Sequence, residues 1–205
     1  QGYSSAASDV YKRQDIRILT ISGLLHDIGK IMIPNEILTK PGKLTVAEYN
    51  IMKQHVNFGY EKVKNQNIDI RIKEACLLHH EKCDGTGYPF GLKSDHIPAV
   101  AKIIAIADVY DAMTSARVYR GALCPFEVID TMYKDAFTKF EPEYILPFLK
   151  NVASSYINND VRLSDGRIGK VVLINENALS LPIVQCEDEF IDLSKTRGLT
   201  VSAIL

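Results

Sequence analysis

The chain has 205 residues, with 24 Lys+Arg against 25 Asp+Glu and a formal net charge of −1. A charge so close to zero supplies no global field for nucleic acid or for an anionic membrane surface, which excludes both as first readings. Apolar residues make up 46% of the chain and charged residues 24%, a globular balance with enough material for a real core.

No apolar run reaches the roughly 18 residues that would suggest a membrane-spanning helix. Cys76, Cys83, Cys124 and Cys186 form no C-x-x-C pair, so reduced thiols and a cytoplasmic location are expected. The chain begins with Gln1, shows no signal peptide, and opens on a small polar stretch, Ser4 to Ser8, that fits no later pattern. Residues 1–14 are therefore read as a tail or truncation boundary.

From Asp15 to Ile28 the apolar positions Ile18, Leu19, Ile21, Leu24, Leu25 and Ile28 recur at helical spacing, and Gly29 and Pro34 end the predicted helix. Residues 31–44 hold Pro34, Pro41 and Gly42 and read as a loop. Thr45 followed by Glu48 is a capping-box signature for a helix carrying Ile51, Met52, His55 and Phe58 on one side. A further helix is expected over residues 69–81, with Ile72, Ala75, Cys76 and His79 on one stripe. It runs into a glycine-rich loop from Asp84 to Gly91. Pro98 suits the first turn of a helix, and Val100 to Met113 reads as a central buried one. Pro125 and Pro142 open two more.

After Tyr156 the pattern changes to short β-rich runs, Ile168–Ile174, Leu181–Cys186 and Phe190–Leu193, separated by turn residues. The fold class expected is mainly α: a helical domain over residues 15–157 with a small C-terminal β appendage over residues 158–205.

The chain has five histidines, and four of them, His26, His55, His79 and His80, fall on or beside apolar helical stripes. A single histidine there is usually a hydrogen-bonded core residue. Four, in company with Asp27 and Asp108, shift the reading toward a metal site, because imidazole and carboxylate suit Fe, Mn or Zn. Asp108 sits inside a strongly apolar helix, where a bare charge is costly and must be paired, protonated or metal-bound. Lys30 follows His26 by one helical turn, within reach of a phosphate held at the metals. Arg117 and Arg120 are three apart and suit bidentate phosphate binding, although a solvated helix end is the commoner fate of such a pair. Cys83 is read as inert.

Three strings carry a resemblance: His26-Asp27-Ile28-Gly29-Lys30; His79-His80-Glu81 followed by Asp84-Gly85 and Gly87-Tyr88-Pro89; and Ile103 to Thr114 with Arg117 and Arg120 beyond. Together they resemble the HD-GYP family, bacterial cyclic di-GMP phosphodiesterases within the HD metal-hydrolase superfamily, over residues 15–150. The resemblance implies an HD-type helical bundle. It implies metal ligands at His26, Asp27, His55, His79, His80 and Asp108, with Asp27 bridging two divalent ions, Fe or Mn. It implies phosphate contacts from Lys30, Arg117 and Arg120, and a site shaped by Tyr88.

The activity implied is hydrolysis of cyclic di-GMP to pGpG, GMP or both by a metal-bridging hydroxide, with Asp27 and Lys30 catalytic. Diguanylate cyclase domains are an implied partner through the Gly85–Gly91 loop. A non-catalytic module that binds cyclic di-GMP or docks a cyclase is the alternative, and an HD hydrolase of another nucleotide is a third reading. The family's usual upstream His or Glu ligand has no counterpart here, since the 25 residues before His26 contain neither. The expectation is that the natural protein carries a helix this chain lacks.

Overall fold

The computed structural model describes residues 13–115 and 122–205. They divide into two compact units, the first ending at Ala107 and the second beginning at Asp108.

In the first unit, α1 (Arg13–Leu25) ends in a turn that leads to a 3₁₀ segment, Ile28–Met32. Residues 31–44, expected to be loop throughout, also hold the short α2 (Asn35–Leu38). Thr45 caps α3 (Val46–Lys53) through the full capping box: its hydroxyl accepts from the Glu48 amide and the Glu48 carboxylate accepts from the Thr45 amide. That carboxylate also pairs with Lys40 at 2.6 Å, so it ties the preceding loop to the helix start. The single helix expected to run from the cap through Phe58 is instead two, α3 and α4 (His55–Val63), which meet at Gln54. Asp69 then caps α5 (Ile70–Leu78) by accepting from the Arg71 amide.

The core of this unit forms where α4 and α5 bury Val56, Val63, Ile72, Ala75 and Cys76. Burying a side chain of valine size contributes roughly 1.5–3 kcal/mol. The helix α6 (Ala99–Thr114) has the extent the sequence implied. Its burial is confined to Ala101, Ile104, Ala105 and Ile106, whereas Ala107 and Asp111 are exposed, so it is not buried along its whole length.

In the second unit, α7 (Pro125–Asp135) and α8 (Pro142–Ser155) each carry proline in the first turn, where the missing N–H costs no helical hydrogen bond. They bury Phe126, Ile129, Met132, Ile145 and Leu149. An antiparallel sheet follows, ordered β4-β3-β2-β1-β5. Its strands are β1 (Asp160–Leu163), β2 (Ile168–Leu173), β3 (Ile183–Cys186), β4 (Glu189–Asp192) and β5 (Val201–Ile204). The middle three match the β-rich runs of the sequence to within two residues. The outer pairing, Val161 opposite Ile204, joins two segments with no such signal. The mainly α fold with a C-terminal β appendage is thus observed.

No helix among the described residues is long and apolar enough to cross a membrane. None of the four cysteines is in a disulfide.

Candidate metal centre

The sequence placed His26, His55, His79 and His80 within helices. Only His55 is inside one. His26 and Asp27 lie in the turn after α1, His79 is the C-cap of α5, and His80 lies just past it. The difference matters chemically. Adjacent side chains inside a helix diverge by about 100°, whereas past a helix end they need not. In the turn, His26 Nε2 comes within 3.3 Å of Asp27 Oδ2.

Gly29 is what brings this turn to α4. A Cβ there would lie 1.9 Å from the His55 carbonyl oxygen and 2.4 Å from the Gly59 nitrogen, so only hydrogen permits the approach. The sequence suggested Gly29 only as a helix terminator. Its closer task is to let the Asp27 turn rest on the backbone of α4.

Three imidazoles are anchored alike. His26 Nδ1 lies 2.8 Å from the Gly23 carbonyl, His55 Nδ1 2.8 Å from that of Met52, and His79 Nδ1 2.9 Å from that of Ala75. A carbonyl only accepts, so each Nδ1 carries the proton and each neutral ring presents a lone pair at Nε2. Those lone pairs converge. His55 Nε2 lies 3.4 Å from His79 Nε2 and 3.3 Å from Asp27 Oδ1, and His79 Nε2 is 3.8 Å from the same oxygen. Asp27 Oδ1 is buried and accepts no hydrogen bond among the described residues.

Ligand atoms of Asp27, His55, His79 and His80 all lie within 4.8 Å of one another. Converging acceptors without protons repel, and a cation removes the repulsion, so these residues fit a metal ion.

The electrostatics agree. Burial pushes the His55 imidazole below its ordinary range. For His79, burial and then the neighbouring His26 and His55 do the same, so both rings favour the neutral, ligating form. Burial alone would raise Asp27, but the neighbouring His26 and the Lys30 ammonium outweigh it and hold the carboxyl far below the usual range. The Lys30 ammonium bonds to Asp27 Oδ2. Lys30, expected one helical turn from His26 on a shared face, instead lies in the 3₁₀ segment on top of the carboxylate.

The glycine-rich loop is shaped by a residue the sequence left without a role. Glu81 is only 4% exposed, and its carboxylate accepts from the amides of Phe90, Gly91 and Leu92 at 2.7, 3.1 and 2.9 Å. At Gly87 a Cβ would lie 2.4 Å from the Lys82 nitrogen and 2.6 Å from the His80 carbonyl, so the loop folds back on the very segment that carries the histidines. Tyr88 thereby stacks on His80, with centroids 4.7 Å apart and planes 27° apart. Nothing in the local sequence marks Glu81 as buried, so this clamp has no signal there.

Of the remaining candidates, Asp108 is half-buried on α6 and is the first residue of the second unit. Arg117 and Arg120 lie outside the described residues.

The HD domain family model matches residues 5–144. The chain is 38% identical over 171 residues to a cyclic di-GMP phosphodiesterase of Pseudomonas aeruginosa, covering 83% of this chain and 41% of that protein. It is 42% identical over 142 residues to the cyclic di-GMP phosphodiesterase response regulator RpfG of Xanthomonas campestris, covering 68% of this chain and 38% of the regulator. The chain thus spans well under half the length of these curated relatives. Among solved structures, a protein of Bdellovibrio bacteriovorus titled an HDG"Y"P protein shares the fold at a TM-score of 0.56 and 20% identity, over 69% of this chain and 45% of that one. On the match of the family model across most of its length, the chain belongs to the HD domain family, as its HD-GYP-like motifs anticipated.

Proposed function

We propose that the protein is a metal-dependent phosphodiesterase that hydrolyses cyclic di-GMP to pGpG, GMP or both in bacterial second-messenger signalling. The observation that carries this is the convergence of the His55 and His79 Nε2 lone pairs on the orphaned Asp27 Oδ1. The names of the relatives supply the substrate. A donor set turned inward in this way favours turnover over the non-catalytic module.

Asp27, His55, His79 and His80 would hold a divalent ion, Fe or Mn by the donor types, and His26 and Asp108 are assigned as further metal ligands on the resemblance alone. Such ions supply a Lewis acid for the phosphodiester and lower the pKa of water enough to make hydroxide available near neutral pH. The backbone carbonyls of Gly23, Met52 and Ala75 keep each imidazole in the tautomer that ligates. Lys30 neutralises Asp27 in the metal-free protein. With a cation on that carboxylate, the Lys30 ammonium would be available to a phosphate oxygen. Tyr88 walls the site above His80. Arg117 and Arg120 are assigned to phosphate on the resemblance alone.

Docking of a diguanylate cyclase on the Gly85–Gly91 loop is supported by one feature, the exposed Phe90 at that loop. A cytoplasmic setting accords with thiols outside disulfides.

The test is Asp27→Ala, with the chain loaded with Mn²⁺. Loss of this carboxylate is expected to lower cyclic di-GMP hydrolysis by more than about a hundredfold, since even outer-sphere losses reach that scale. Bound metal is expected to fall with it. Wild-type turnover with wild-type metal content would overturn the proposal.

A further inference from the structure

A second cluster adjoins the histidines and plays no part in holding metal. Lys53 closes α3, and its ammonium lies 5.3 Å from the ring centre of Tyr49 and 6.0 Å from that of Tyr88. The two rings meet edge to face at 6.5 Å. Tyr88 stacks on His80 and stands 6.4 Å from His55, so this corner begins one ring away from the candidate ligands.

Among the described residues, Lys53 makes no ion pair or side-chain hydrogen bond, whereas Lys30, Lys40 and Lys64 of the same unit each face a carboxylate. Tyr49 is 48% exposed. The corner therefore presents an aromatic face open to solvent and an ammonium that lies over two rings.

We propose that Tyr49, Lys53 and Tyr88 form the subsite for a guanine base of the substrate, and that Lys53 makes this subsite prefer guanine to adenine. The inference rests on the phosphodiesterase reading and extends it to base recognition. Stacking on an aromatic side chain is tolerant of base identity, because every base has a π face. Discrimination comes from the edge. Guanine presents O6 and N7 as adjacent acceptors, whereas adenine places an amino donor where O6 would be. An ammonium has donors and no acceptor, so it satisfies guanine and opposes adenine. Lysine on a flexible stem can leave the ring faces for that edge, trading a cation–π contact for hydrogen bonds to an acceptor.

The experiment compares initial-rate kcat and KM for cyclic di-GMP and cyclic di-AMP with the Mn²⁺-loaded chain and its K53M, Y49A and Y49F variants. Wild type is expected to favour cyclic di-GMP. K53M is expected to raise KM for cyclic di-GMP about tenfold and leave that for cyclic di-AMP nearly unchanged, so that discrimination collapses. Y49A is expected to raise both KM values, and Y49F to restore them. Equal losses for both substrates in K53M, or no loss, overturn the subsite while leaving the phosphodiesterase reading standing. Wild-type protein that hydrolyses neither dinucleotide overturns that reading and the subsite with it.

Discussion

Among the described residues, the buried polar side chains are Ser22, His55, His79 and Glu81, and all four lie in the first unit. The second unit buries Phe126, Val128, Ile129, Met132, Ile145 and Leu149 between its helices, and Val161, Leu163, Val171 and Val184 in its sheet, with no polar side chain among them. One interior is organised for chemistry, the other for cohesion. A buried polar group costs free energy unless it is hydrogen-bonded. The first unit offsets that cost at His55 and His79 with a backbone carbonyl each and at Glu81 with three backbone amides; the Ser22 hydroxyl has no partner among the described residues, and Asp27 Oδ1 is left unsatisfied where a cation fits.

The contrast can be broken at either end. The largest stability effect is expected in the apolar interior. Phe126 is 2% exposed, and Phe126→Ala removes a ring that nothing nearby can replace, at about 3–5 kcal/mol. Chemical denaturation measures it, and a loss below about 1 kcal/mol would mean that the second unit collapses around the cavity.

Glu81→Gln is the matching cut in the polar interior. It keeps the volume but turns an amide donor toward backbone donors, at about 1–3 kcal/mol. Hydrogen exchange at Phe90, Gly91 and Leu92 is the specific check. Faster exchange at those three amides is expected, and unchanged protection would show that the loop is held by something other than this carboxylate.

The smallest effect is graded by pH. His55 and His79 are held below their ordinary value of 6.5 in the folded chain, so over the window beneath 6.5 the unfolded chain binds protons that the folded chain does not. Stability therefore rises with pH there. The stability of the metal-free protein is complete above the unfolded value and falls away as pH drops through it. Asp27, depressed from 3.8, acts in the same direction at lower pH. Melting temperatures of metal-free protein between about pH 7 and about pH 5 are expected to decline as pH falls. A flat profile would place both histidines in water rather than in the interior.

Much of the site was legible because its residue types are rare and clustered. Five histidines in the whole chain, two of them adjacent and one followed directly by an aspartate, narrow the choice of ligands by residue type and spacing alone. The roles of Gly29, Glu81 and Lys53 were not legible. Each depends on a contact with a segment distant in sequence or folded back on itself, which neither periodicity nor composition encodes. The same holds for β1 and β5. No β-rich run marks either segment, and they become strands because Val161 finds Ile204 across the sheet.

Local chemistry within the sequence determined the helix starts at Thr45, Pro125 and Pro142, the change from helix to strand after Tyr156, and the inventory of metal-binding side chains. These follow from capping, proline geometry and residue type, which act over a few neighbouring positions. Tertiary structure alone decided that the His26–Asp27 pair lies past its helix rather than within it. It also decided that three imidazoles turn the same nitrogen inward and that a glycine lets two backbones touch. Those outcomes depend on which surfaces meet, and only the packed chain brings the surfaces together.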